Sequence, residues 1–236
     1  MRLWKLLVLL LLLVPPMAQA TTWVDVEVTC PVCGATNIFQ VPASYGTYVF
    51  QDRSRFQYVF WPATTEKFLY TCRKCHLTAY MADFEAIPGE KVGALASMLE
   101  REGAIAGDVL PYYTIPLTVR LPIAEKVYEV LGRDDEFWCE FRRIQGYHLE
   151  LAGLESEAMA ARRAALETSK RLPRTKQNQF ILASLKYFTG DVSGADSDLR
   201  EAETLRDESP DLDRYLTELI DDFRKEVLNK RHSVSR

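Results

Sequence analysis

Cys30-Pro31-Val32-Cys33-Gly34 and Cys72-Arg73-Lys74-Cys75-His76 are two CxxC knuckles, with 38 residues between Cys33 and Cys72. One such pair is a weak signal; two together are a strong one. A two-residue gap lets a tight turn aim two thiolates at one point, and two turns can close a tetrahedron around Zn²⁺ with Zn–S near ~2.3 Å. The expected ligands are Cys30, Cys33, Cys72 and Cys75. Four thiolates leave no open position, so the expected role is structural. Gly34 follows the first knuckle, where a residue free to adopt positive φ is useful. His76 competes with Cys75 for the same geometry and is expected beside the site, partly exposed, rather than on the metal.

Working outward, the N-terminus reads as an export signal. Arg2 and Lys5 precede an apolar run over residues 6–14, Pro15-Pro16 ends it, and Ala18-Gln19-Ala20 supplies a processing site. The run is short for a membrane span, which needs about 20 apolar residues. The expected mature chain starts at Thr21, lies in the periplasm or outside the cell, and keeps no membrane span. Removing Arg2 and Lys5 from the 29 basic residues leaves 27 against 33 acidic, a formal charge of −6. That balance disfavours a nucleic-acid surface. The basic group Lys170, Arg171, Arg174 and Lys176 reads as a solvated loop between helices.

An oxidising compartment favours disulfides. The knuckles are therefore also compatible with structural disulfides or with thiol exchange. Redox CxxC motifs usually open a helix after a strand, and neither motif here does so. Cys139, in an aromatic stretch with Trp138 and Phe141, reads as a buried small hydrophobe.

Residues 21–88 carry strand patterns. Val24, Val26 and Val28 alternate with Asp25 and Glu27, the period of a half-buried strand. Residues 37–41, 48–51, 56–61 and 67–71 are further short candidates. The aromatic group of Tyr45, Tyr48, Phe50, Phe56, Tyr58, Phe60, Trp61, Phe68 and Tyr70 is expected to pack a small sheet against the helical half. Residues 89–120 read as one helix followed by a Gly- and Pro-rich connector.

From residue 121 to 230 the chain reads as helical. A shift of 37 residues superposes Ile144 on Ile181, Leu151 on Phe188 and Gly153 on Gly190. It also superposes Ala158 on Ala195, Ala165 on Ala202 and Pro173 on Pro210. Glycines that turn one helix into the next, alanines on one close-packed face and terminating prolines describe a helical hairpin. The turn at residues 187–195 resembles that of a tetratricopeptide repeat. Residues 211–230 read as an amphipathic closing helix, and 231–236 as a disordered tail. The expected fold is therefore α+β: a small β-rich zinc-ribbon-like domain followed by an all-α tetratricopeptide-like domain.

CPVCGATNIF, an aromatic insert, FLYTCRKCHLTAYMADFEAI and the helices that follow resemble, over most of the mature chain, a bacterial family catalogued as domain of unknown function 2225. The resemblance implies a zinc ribbon with helical repeats and Cys30, Cys33, Cys72 and Cys75 as ligands. His76 departs from it, standing where such knuckles often carry glycine, and so does the export signal. No HExxH, nucleophile elbow, phosphate loop or dinucleotide fingerprint occurs. His148 falls in a helix and His232 in the tail, and Asp134-Asp135 and Asp221-Asp222 are expected as solvated faces or helix starts. These readings point to an exported non-enzymatic scaffold for a protein or peptide partner. The rivals are a thiol–disulfide oxidoreductase or thiol-dependent chaperone, and an aromatic-lined glycan-binding module around Trp61.

Overall fold

The computed structural model describes residues 21–45, 52–103, 111–207 and 209–234. The expected leader over residues 1–20 and the strand candidate at 48–51 lie outside the described residues. Strands β1 (Thr21–Thr29) and β2 (Thr36–Tyr45) form an antiparallel ribbon. A short helix α1 (Asp52–Phe56) and a 3-10 turn (Glu66–Phe68) lead to a second antiparallel pair, β3 (Leu69–Thr71) and β4 (Thr78–Tyr80). Helices α2 (Val92–Glu102) and α3 (Leu117–Leu131) follow. Two hairpins come next, α4 (Asp135–Leu151) with α5 (Glu155–Ser169) and α6 (Lys176–Phe188) with α7 (Val192–Thr204), and α8 (Pro210–Val234) closes the chain. The fold is α+β, with small two-stranded sheets near the N-terminus and a mostly helical remainder. Among the described residues no helix is long and apolar enough to cross a membrane.

The hairpins turn where glycine allows it. Gly153 and Gly190 take φ of 75° and 98°, a region costly for side chains with a Cβ. Ala158, Ala165, Ala195 and Ala202 are fully buried, so small side chains do line the helix contacts. Gly146 marks the closest approach of α4 to α5. A Cβ there would stand 2.9 Å from the Arg162 Cγ and 3.4 Å from the Ala158 carbonyl oxygen.

One hydrophobic core joins the strands to the first helices. Val28, Phe39, Tyr70 and Phe84 share it with Leu121, Tyr128, Phe141 and Tyr147, so it crosses the boundary expected near residue 120. Two small sheets bury too little surface to stand alone and recruit α2, α3 and α4. Phe39 stacks on Tyr70 with centroids 4.0 Å apart and meets Phe84 and Tyr112 edge-on. Arg120, fully buried on α3, pins this core. Its guanidinium donates to the carbonyls of Ile115, Leu69 and Glu66 and pairs with the Glu66 carboxylate at 3.0 Å.

Several expectations need correction. Residues 56–61 are not a strand. They are the end of α1 and an irregular turn, because Phe56 and Tyr58 pack against the helical hairpins, not a neighbouring strand. Strand β4 had no sequence signal beyond a short apolar run. Helix α3 begins at Leu117, inside the expected connector. Lys176 is not solvated. It is 1 % exposed, and its ammonium bonds Asp213 at 3.0 Å and Thr217 at 2.6 Å, which ties α6 to α8. Helix α8 continues through Val234, past residue 230, since no breaker interrupts it; 235–236 lie outside the described residues.

Candidate metal centre

Each knuckle is the loop of a β-hairpin. Residues 30–35 join β1 to β2, and residues 72–77 join β3 to β4. The loops are closed by the same bonds. The Cys30 N–H donates to the Ala35 carbonyl at 2.9 Å and the Cys72 N–H to the Leu77 carbonyl at 2.8 Å. The Gly34 N–H returns to the Cys30 carbonyl, and the His76 N–H to the Cys72 carbonyl. Gly34 and His76 both take left-handed φ, 69° and 60°, at equivalent places. His76 therefore adopts a conformation that favours glycine, and it is buried, more enclosed than expected.

The loops face each other. The Cys30 and Cys75 sulfurs are 3.6 Å apart, as are those of Cys33 and Cys72, and all four ligand atoms lie within 4.8 Å of one another. Four thiolates on one tetrahedral ion about 2.3 Å away sit roughly 3.8 Å from each other. The four cysteines are thus close enough to bind one metal ion, and the all-sulfur donor set suits Zn²⁺. All five cysteines are free thiols. Cys30 and Cys72 are buried, whereas Cys33 and Cys75 are part-exposed and border a cleft of about 440 Å³ with Leu99 and Glu100 of α2.

Thiols this close cannot ionise independently. Hydrogen bonds from Cys30 and then Cys75 hold the Cys72 thiol far below the ordinary range. The same contact with Cys72 pushes the Cys30 thiol up to about 12, against the pull of the Cys33 and Val32 N–H groups. Hydrogen bonds with Cys30 and Cys72 push Cys75 up as well. Of these three thiols Cys72 ionises readily, whereas a cation is needed to hold Cys30 and Cys75 as thiolates beside it.

Sequence reasoning missed Asn37, the residue that joins the knuckles. It is 3 % exposed at the start of β2. Its Nδ2 donates to the Ala35 carbonyl at 3.0 Å and approaches the Cys72 sulfur at 3.6 Å. Its Oδ1 accepts the Arg73 N–H at 2.9 Å. A polar residue four places after Cys33, just before the apolar pair Ile38-Phe39, was the only signal. The Lys74 N–H also points at the Cys72 sulfur, at 3.4 Å.

The remaining candidates take structural places. Cys139 is buried among Ala165, Ile181 and Leu185, and burial pushes its thiol up. His148 donates from Nε2 to the Ala63 carbonyl at 2.6 Å and stacks on Phe68. Burial lowers its imidazole to about 4. Asp134 caps α4 through the Phe137 N–H, and Asp135 pairs with Arg171. Comparison of the chain with protein-family models, with curated proteins and with solved structures gives no match in any of the three.

Proposed function

We propose that the chain is an exported, zinc-stabilised scaffold whose helical hairpins, tetratricopeptide-like in their turns, engage a protein or peptide partner. The observation that carries this reading is the closed cluster of four sulfurs, held by two matching loops and cross-braced by Asn37. Such a donor set leaves no position for substrate or water, so its chemistry is mechanical: it locks β1–β2 onto β3–β4. The leader-like residues 1–20 and the resemblance to domain of unknown function 2225 support export and the zinc ribbon. Elemental analysis of protein recovered from its own compartment tests the metal, with one zinc per chain and four protected thiols expected. Crosslinking to a purified partner tests the scaffold. Metal-free, folded protein with those cysteines paired would sink the reading.

A second reading follows from the cleft beside Cys33 and Cys75. A thiolate there could attack a substrate disulfide and expel one substrate thiolate, and the other cysteine of the same knuckle could then displace the second, leaving a CxxC disulfide and two substrate thiols. Recovery of a reducible CxxC disulfide after incubation with an oxidised peptide would favour it.

A further inference from the structure

Residues 53–63 lie in the helical array as a ligand lies in a groove. Their contacts come from the first helix of each hairpin, from the closing helix and from Arg162 of α5. On α4, Arg143 donates to the carbonyls of Gln57 and Tyr58, and His148 to that of Ala63. On α6, the Ser184 hydroxyl donates to the Phe56 carbonyl at 2.5 Å. On α8, Asp222 pairs with Arg55 at 3.0 Å, and Phe223 meets the Phe56 ring at 4.8 Å. Tyr58 packs against Phe180. From α5, Arg162 reaches in to bond the Gln57 side chain at 2.9 Å and the Glu150 carboxylate. Where α1 ends the chain turns irregular and half-buried, so the carbonyls of Phe56, Gln57, Tyr58 and Ala63 take their donors from side chains of other elements.

The groove opens into a cleft beside the segment. Beside Arg53 and Phe56 lies a cleft of about 440 Å³ lined by Glu150, Glu155, Met159, Arg162, Phe188 and Glu226. Arg53 enters it and pairs with Glu150 at 2.6 Å, yet its side chain is 73 % exposed. Glu150 and the Phe188 ring already hold arginines, Glu150 pairing with Arg53 and Arg162 and Phe188 lying under Arg162, and Glu155 and Glu226 add carboxylates, so the cleft suits cationic side chains. Tyr58 holds a left-handed φ of 56°, costly for an aromatic residue, so the segment is kept in place by its surroundings rather than by its own preference.

We infer that this groove is the array's peptide-binding surface, that the chain's own Arg53-Ser54-Arg55-Phe56-Gln57-Tyr58 fills it, and that it fits partner peptides of the same basic-then-aromatic character. The inference rests on the scaffold reading and names the surface that reading requires. A groove covered 99 % of the time by its own segment binds a competitor on the order of 100-fold more weakly than an open one. The probe is a labelled synthetic peptide of residues 52–63, read by fluorescence anisotropy. A full chain with residues 53–60 replaced by a Gly/Ser linker of equal length is expected to bind it at least about tenfold more tightly than the native chain. The same peptide carrying Arg55→Glu and Phe56→Ala is expected to lose that binding. A linker chain that keeps its helical circular dichroism but ignores the peptide overturns the inference. Because Val59 is buried and the linker chain could fail to fold, hydrogen exchange on the native chain provides a second measurement. Excess peptide is expected to raise exchange at residues 54–59 and leave α4, α6 and α8 protected; unchanged exchange at 54–59 overturns it. A partner that crosslinks only to α7 keeps the scaffold and overturns the groove.

Discussion

The side chain of Asn37 lies 3.6 Å from the sulfur of Cys72 while its oxygen accepts the Arg73 N–H, so one residue of the first hairpin orders the second. Replacing it with alanine leaves the Arg73 N–H without its acceptor and takes one of two N–H donors from the Cys72 sulfur, at a cost of about 1–2 kcal/mol. Metal affinity is expected to fall roughly tenfold, by the loss of the group that orients a ligand. Asn37→Asp keeps the acceptor but sets a carboxylate against a thiolate, and is expected to be worse than alanine. Competition with a chromophoric zinc chelator ranks the three proteins.

Cys72 and Cys139 are both buried, but only one belongs to the cluster. Cys72→Ser is expected to abolish stoichiometric zinc and loosen the two sheets. Cys139→Ala is expected to keep one zinc per chain and to lose about 1 kcal/mol of packing. In the native protein Cys139 is expected to resist thiol reagents until unfolding, because it is buried and burial pushes its thiol up. Mass spectrometry after timed alkylation reads both outcomes.

His148 makes stability depend on acid. Its folded imidazole titrates at about 4, against about 6.5 when unfolded, so the unfolded chain takes the proton first. The contribution is complete above pH 6.5 and is lost as pH falls toward 4. Between pH 7.5 and 5.0 it amounts to about 2 kcal/mol. His148→Gln keeps a donor for Ala63 without the titration. Urea melts at the two pH values are expected to show that much less acid sensitivity in the variant, while protonation of the cysteine cluster affects both proteins alike.

Gly146 and Gly93 separate close approach from helix propensity. A methyl at Gly146 strikes the Arg162 side chain, whereas Gly93 on α2 has open space around it. Gly146→Ala is expected to destabilise by about 1–3 kcal/mol despite alanine's better helix propensity. Gly93→Ala is expected to stabilise by about 0.5–1 kcal/mol. Denaturant midpoints decide both.

Local rules made part of this architecture legible. The CxxC spacing located the four sulfurs, and Gly153 and Gly190 located the hairpin turns, because a tight turn advertises its backbone demand. Partners distant in sequence leave no such trace. Phe56, Tyr58 and Phe60 alternate like a strand, yet Phe56 and Tyr58 pack on the second hairpin and α8. Lys176 looked like a loop charge because Asp213 lies 37 positions away. Asn37 and His148 were quiet for the same reason, since each serves a carbonyl or sulfur on a remote element.

The ion pair of Arg55 with Asp222 spans 167 positions. Ribosomes deliver α8 last, so the early turn near Phe56 must wait, its aromatic side chains uncovered, until the final helix has been made. A chain cut short before Asp222 therefore carries a sticky patch near its beginning. Premature termination in this protein is thus expected to show itself as aggregation from the opposite end.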